Sequence, residues 1–337
     1  MGGNGNGGAE VYSTDVMLSL HAAGIDQCVV MRDTAPRTTE LRQAGLRMAT
    51  EVLNIPFRPW QRFQVGRLIA REKPDIIHCW MRRAASLTPK NAQSRAAVIG
   101  WYGDYEEIDH FAHCSHFVGV TKDIVSFMLK SGVAADRATY VPTFPSIIDA
   151  PALDRAALTT PADAKVLLTL SRLHPVKGLD TMLQALKDLP DCYLWLAGDG
   201  PSREELMTLA VDLGVHERVR FLGWRTDRGA LLRAADICVL PSRYEPFGTV
   251  ILEAWQLKIP FVACASDGPR AHIRDGKNGM LVAINDAVGL AGAIRRVIDD
   301  KKLRDAIVAE GHGEYQAGFT REAVTKQWID YYQGLVP

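Results

Sequence analysis

Net charge is the first thing this 337-residue chain lacks: 39 Lys and Arg stand against 39 Asp and Glu. That balance predicts no global affinity for nucleic acid. Long apolar runs are also missing, so no membrane-spanning helix is predicted. The six cysteines, at 28, 79, 114, 192, 238 and 264, are scattered, and no two form a C-x-x-C pair. This argues against a zinc ribbon or a disulfide framework and fits a reducing, cytoplasmic setting. There is no Asp-x-Asp triplet of the kind whose adjacent carboxylates grip Mg²⁺ or Mn²⁺. The chain opens on MGGNGNGGAE, with neither the charged start nor the apolar stretch of a secretory signal, so none is predicted. Its glycines formally fit G-x-G-x-x-G. The dinucleotide reading needs a strand just before them, and no apolar run precedes them here.

What is present is enough apolar material for real cores, 47% of residues, in a length that suits two domains. The first half alternates short apolar runs (28–31, 76–79, 97–101, 117–120) with helical stretches (14–23, 60–71, 123–131). The second half repeats the scheme. Strands are expected at 165–170, 192–197, 219–222, 237–240, 260–263 and 280–282. Helices are expected at 179–188, 203–213, 228–234, 249–256, 287–299 and 302–310. Such alternation predicts α/β architecture with parallel, doubly wound sheets. The stretch 142–165 carries four prolines and reads as the interdomain linker. A last helix over 321–332 has Thr320 as its N-cap.

The most informative segment is CVLPSRYEPFGTVILEAW, 238–255. An apolar run, a Pro-Ser break and an amphipathic stretch read as strand, loop, helix. Gly248 permits close backbone approach to a ligand. The N–H groups of Thr249 and Val250 then sit at a helix N-terminus, which favours anions. Glu245 approaches from the loop and Glu253 from the helix. Two carboxylates around an anion site suit a ligand that carries both phosphate and hydroxyl groups, such as a nucleotide sugar. A second pair, Arg172 and Lys177, follows the strand 165–170, at the strand end where open α/β sheets bind ligands. Arg forks onto phosphate oxygens and Lys acts as a point charge. Two such cations suit a phosphate-bearing ligand, or else are surface charge on a loop.

EPFGTVILE resembles the E-P-F-G-x-x-x-x-E signature of the large family of retaining nucleotide-sugar glycosyltransferases with the GT-B fold. Further segments match that family in order: GGAE (7–10), LSRLHPVKGLDTML (170–183), LAGDGP (196–201), FLGW (221–224) and DGKNGMLV (275–282). The resemblance implies two Rossmann-like domains facing a cleft. An acceptor domain is expected over 1–155, a nucleotide-sugar domain over 156–312, and a C-terminal helix, 313–337, crossing back to the first. Relatives have a strand before their glycine loop, so the N-terminal sheet is expected to lack its first strand.

The resemblance also assigns roles. Glu245 is expected on the transferred sugar, with Arg172 and Lys177 on the diphosphate. Glu253 is expected on the ribose hydroxyls, Gly223 and Trp224 beside the base, and Gly248, Thr249 and Val250 on the donor. Gly7 and Gly8 read either as a loop approaching donor phosphates or acceptor, or as disordered. The family's donor-side loop is matched only in part by Gly268-Pro269-Arg270, where Ala271 stands in place of a frequent Glu. No cofactor or metal is expected, only a nucleotide diphosphate sugar as donor substrate.

On the acceptor side the usual His-Gly pair is absent. Arg82, Arg83, Tyr102 and Asp104 are the candidates, and Trp101 reads equally as a sugar-stacking platform or a core residue. The segment 58–95 carries nine basic residues against Glu72 and Asp75. It reads either as a solvated helix face or as a surface for an anionic saccharide or glycolipid acceptor, with peripheral contact at the inner membrane. The overall expectation is a retaining transferase acting on a lipopolysaccharide core or similar acceptor. The alternatives are other sugar chemistry on the same fold (an epimerase or a synthase) and a catalytically weak scaffold.

Overall fold

The computed structural model describes residues 7–35, 37–54 and 56–336. The chain divides into two compact units, one of Met1–Ser146 with Phe319–Pro337, the other of Ile147–Gly318.

In the first unit the strands are β1 (Cys28–Val29), β2 (Arg47–Met48), β3 (Ile76–Trp80), β4 (Ala97–Tyr102), β5 (His116–Gly119) and β6 (Ala138–Tyr140). Its helices are α1 (Gly8–Ala22), α2 (Thr38–Gln43), α3 (Arg58–Glu72), α4 (Met81–Leu87) and α5 (Lys122–Lys130). Among the described residues no strand precedes α1, and the parallel strands form two separate sheets, β1-β2 and β3-β4-β5-β6. A cavity of about 670 Å³ is lined by residues of both, including Val29 and Val30 on one side and Ile76, His78 and Trp80 on the other. The expected short first sheet is therefore a split one. The sequence reading missed β2 and β6 because two- and three-residue strands carry no readable alternation.

The core of this unit is aromatic. Tyr12 of α1 packs on Trp80, Trp101 and Phe144. Its hydroxyl donates to the carbonyl of Pro142 at 3.0 Å. The amino-terminal end of the expected linker is thus anchored in this unit, and the chain leaves it only after Ser146.

The second unit holds β7 (Lys165–Leu170), β8 (Cys192–Ala197), β9 (Val219–Gly223), β10 (Ile237–Leu240), β11 (Phe261–Cys264) and β12 (Met280–Val282). Its helices are α6 (Leu179–Leu186), α7 (Arg203–Asp212), α8 (Arg228–Ala234), α9 (Thr249–Gln256), α10 (Asp267–His272), α11 (Ala287–Asp299) and α12 (Lys301–Gly318). A final helix, α13 (Arg321–Leu335), belongs to the first unit. There Trp328 donates its indole N–H to Tyr12 Oη at 3.1 Å, and Thr320 caps the helix through Ala323 N.

The six strands of the second sheet are parallel in the order β12-β11-β10-β7-β8-β9. This is the doubly wound order. The chain runs outward from β7 through β8 to β9, then returns to the centre and runs from β10 to β12. The reversal lies between β7 and β10, and the crevice beyond their carboxyl ends is where such sheets bind ligands. The four residues of β10 are apolar, and β7 past Lys165 is buried, with Thr169 donating its hydroxyl to Val239 O at 3.1 Å, as burial on two faces requires. Residues 147–155, expected with the first domain, lie in this unit. Leu153 N donates to Ala230 O, and the Arg155 guanidinium reaches Ala164 O, Ala234 O and Asp236.

Candidate active site

At the reversal point the loops after β7 and β10 are tied together by backbone. Arg243 N and Tyr244 N both donate to Val176 O, at 2.9 and 3.2 Å. Gly178 stands at φ +62°, and a Cβ there would lie 2.1 Å from Pro241 O, so only glycine fits the crossing. A second tie is ionic. The Arg243 guanidinium grips Asp180, at the start of α6, through two bonds of 2.8 and 2.5 Å.

This framework brings together residues separated by some 70 positions in sequence. Lys177 Nζ lies 2.8 Å from Glu245 Oε2, with both side chains 18% exposed. Glu245 Oε1 accepts from Gly248 N at 3.2 Å. Gly248 takes φ +84° and ψ +58°, which releases the chain into α9. Beyond it, the N–H groups of Thr249 and Val250 have no acceptor among the described residues, as the first turn of a helix leaves them. Gly268 N donates to Glu245 O at 2.7 Å, so the 268–270 segment, now the body of α10, is pinned beneath the same loop. Arg172 is exposed just past β7 and has no ion-pair or hydrogen-bond partner among the described residues. The site therefore offers one cation held by a carboxylate, one unpaired cation, and a helix N-terminus.

Glu253 is placed differently from Glu245. Its side chain is 1% exposed, and Oε1 accepts from Arg228 Nη1 at 2.6 Å. Oε2 is buried with no partner among the described residues. Burial pushes this carboxyl up, and Arg228 opposes the shift only in part. Arg228 opens α8, 25 residues earlier, and the sequence reading did not single it out. Only the tertiary contact reveals it. Further unpartnered polar atoms stand at neighbouring strand ends: the hydroxyls of Ser171 after β7, Ser242 after β10 and Ser266 after β11. Gly223 ends β9 at φ +65° and accepts from Gly198 N at 2.8 Å. It leads into Trp224, whose side chain is 64% exposed.

In the first unit the expected acceptor residues divide. Tyr102, expected to meet an acceptor, is a core residue instead, and Trp101 takes the core alternative of its two readings. Trp101 is 3% exposed and stacks on Tyr12 at 5.8 Å, while Tyr102 is wholly buried and stacks on Phe111 at 4.1 Å. As the last residues of a strand paired on both sides, they have no surface to offer. Asp104 lies past the strand end, half-buried, and its Oδ1 accepts from Tyr105 N. Arg82 and Arg83 are exposed on α4. Met81, at φ +62°, turns β3 sharply into that helix, the sort of strained junction that clusters at functional sites.

Arg82 reaches Glu106 only at 3.7 Å. Burial, with the neighbouring charges of Arg32 and Arg58, depresses the Arg83 guanidinium. Gly7 is the N-cap of α1 and Gly8 its first residue, with Val11 N donating to Gly7 O. The remainder of the glycine loop, residues 1–6, lies outside the described residues.

Residues 152–313 match the family Glycosyl transferases group 1, and residues 6–144 match Glycosyltransferase Family 4. The chain is 35% identical over 326 residues to the lipopolysaccharide core biosynthesis glycosyltransferase LpsE of Rhizobium meliloti (strain 1021), covering 96% of this chain and 95% of that protein. It is 32% identical over 328 residues to LpsD of the same organism, covering 97% and 95%. Among solved structures, Anabaena Alr3699/HepE in complex with UDP and glucose superposes with a TM-score of 0.81 at 21% identity, covering 99% of this chain and 98% of that one. Family match, full-length similarity and fold agree: this chain belongs to the glycosyltransferases of group 1 and family 4, enzymes of GT-B fold that act on nucleotide sugars.

Proposed function

We propose that this enzyme transfers a sugar, with retained anomeric configuration, from a nucleotide diphosphate sugar to an anionic saccharide or glycolipid of the lipopolysaccharide core type. The observation that carries the donor half is the Lys177–Glu245–Gly248 constellation at the β7/β10 reversal, with unpaired Arg172 beside it. In this reading Arg172, Lys177 and the N–H groups of Thr249 and Val250 take the diphosphate. Charge that develops on the leaving group meets fixed cations and amides, with no metal required. Oε2 of Glu253 accepts from the ribose hydroxyls. A carboxylate already aligned on Arg228 loses little freedom on binding. Trp224 covers the base, with Gly223 allowing its approach. Glu245, held by Lys177, faces the sugar and favours positive character at the anomeric carbon.

The acceptor half rests on Arg82 and Arg83, exposed at the start of α4 just past the sharp turn at Met81, with Glu106 no nearer than 3.7 Å to Arg82, an arrangement that suits an anion. The names of LpsE and LpsD supply the acceptor class. No described helix is long and apolar enough to cross a membrane. A lipid-borne acceptor would therefore be met at a surface, on the cytoplasmic side of the inner membrane.

The test is a thermal-shift screen against UDP, GDP, ADP and their sugars, with and without EDTA, followed by kinetics of Arg172→Ala. The reading expects a shift for one base that survives EDTA. It also expects a fall in kcat of about a hundredfold or more for the variant, the usual cost of a lost oxyanion-type donor. A shift abolished by EDTA, or unchanged kinetics, would overturn the metal-free diphosphate site.

A further inference from the structure

Two buried cysteines of the first unit take no part in the chemistry proposed above. Cys79 lies on β3, and Cys114 lies in the loop two residues before β5. The strand β4 runs between them. Its Gly100 is the register partner of Cys79, so the two side-chain positions share one face of the sheet, about 4.8 Å apart. A Cβ at Gly100 would lie 3.1 Å from Cys114 Sγ and 3.4 Å from Cys114 Cβ. The Cys114 thiol therefore covers the bare backbone of Gly100, on the face from which Cys79 projects.

The two thiols have different surroundings. Cys79 Sγ also meets Thr88 Oγ1 at 3.2 Å. Cys79 and Thr88 line the cavity of about 670 Å³ beside β3, whereas Cys114 does not. The hydrogen bond between the thiols draws Cys79 below the ordinary thiol range, against the cost of burial, and the same contact pushes Cys114 up. Cys79 is thus the thiol that ionises first and the one a small solute in the cavity meets. Cys28 lines the same cavity, but burial pushes its thiol up. Scattered cysteines argue against a permanent disulfide framework, yet the disulfides that do form in reducing compartments are transient and redox-sensing.

We propose that Cys79 and Cys114 are a redox-sensitive pair, which hydrogen peroxide entering the cavity converts to a reversible disulfide. The Cys79 thiolate attacks one peroxide oxygen, the O–O bond breaks, and the departing hydroxide takes a proton to become water. Cys114 then attacks the sulfenic sulfur of Cys79. The S–O bond breaks, and the Cys114 proton leaves with the hydroxyl as a second water. Two thiols lose two electrons in all, and one peroxide becomes two waters. The bond joins β3 to the entry of β5 across β4 and closes a ring that contains α4. No group assigned to the donor or the acceptor takes part.

The experiment treats the native full chain with hydrogen peroxide, quenches with catalase, then denatures it and alkylates the remaining thiols with N-ethylmaleimide. Intact mass and tryptic peptide mapping are the readouts. Two of the six thiols are expected to escape alkylation. The peptides carrying Cys79 and Cys114 are expected as one linked species, which dithiothreitol separates. Cys114→Ser should abolish the link and Cys28→Ser should leave it, with melting curves of the reduced variants as the check on folding. In the oxidised wild type, hydrogen exchange of α4 should slow, because the ring restrains its opening.

Full alkylation of all six thiols after treatment, or a link that forms only once denaturant is present, would overturn the proposal. So would a link between Cys79 and Cys28, which would assign the reactivity to the cavity wall instead of to the pair across β4. The wild-type peptide map decides among these outcomes even if a serine variant fails to fold. It needs no nucleotide, so it can fail while the thermal-shift screen succeeds, and the reverse.

Discussion

At the scale of single residues, the two glutamates of the E-x7-E spacing do different physical jobs. Glu245 is a partly exposed partner of Lys177, whereas Glu253 is a buried carboxyl with one oxygen satisfied. Because burial raises the folded-state affinity of Glu253 for its proton, its contribution to stability is fully present below the ordinary carboxylate range. That contribution is lost as pH rises through the elevated folded value. In its ionised form the carboxylate therefore costs the fold some stability. Glu253→Gln is expected to keep or raise the melting temperature at pH 7 and to flatten its dependence on pH through the acidic range. The same change should weaken donor nucleotide binding about 10- to 100-fold, through loss of a charge-assisted hydrogen bond. Calorimetric titration with the nucleotide found in the screen, beside melting curves over pH, would check both. A melting temperature that drops with affinity unchanged would make Glu253 a structural residue.

At the scale of elements, the donor site depends on two loops crossing at one glycine. Gly178→Ala forces a side chain toward Pro241 O and into a backbone region that costs an L-residue about 1–2 kcal/mol before any clash. We expect a loss of at least about 2 kcal/mol in urea unfolding of the second unit, with weakened donor binding because Lys177 precedes this residue. Wild-type unfolding in that variant would mean the loops are not coupled there.

The same elements show what could be read in advance. The strands β7, β8, β10 and β12 and the helices α8, α9 and α11 fall at the expected bounds, because short apolar runs mark the strands and apolar residues at helical spacing mark the helices. The helix α12 runs on to Gly318 instead of ending before Gly311. Gly311 is there to admit Trp255, whose indole would lie 2.5 Å from a Cβ at that position, so a residue that reads as a stop is a packing contact. Lys177 and Glu245 stood out in the sequence from spacing and resemblance, but their direct pairing did not, since nothing local specifies it. Tyr102 was misplaced, and Trp101 was left open between platform and core, for the converse reason: a polar-tipped aromatic at a strand end looks the same in sequence whether it faces solvent or core.

At the scale of the whole molecule, the two units differ in how completely their sheets are built. The second has six contiguous strands, while the first is interrupted beside a cavity of about 670 Å³. Strands that lack a neighbour on one side exchange their amides through small openings. Hydrogen exchange read by mass spectrometry is expected to show the amides of β1 and β2 exchanging well before those of β7 and β8. Equal protection in both units would show that the interruption costs the first unit nothing.

The unmatched polar atoms at the ends of β7, β10 and β11, and on Glu253, carry a consequence for the life of the protein in a cell. A ligand that satisfies them adds its binding free energy to folding, about 2.7 kcal/mol at a hundredfold excess over Kd. The quantity of intact enzyme then tracks the supply of its own activated sugar. In a starved cell the second unit opens more often, proteases find it sooner, and the transferase declines with the pool it draws on, without any dedicated regulator.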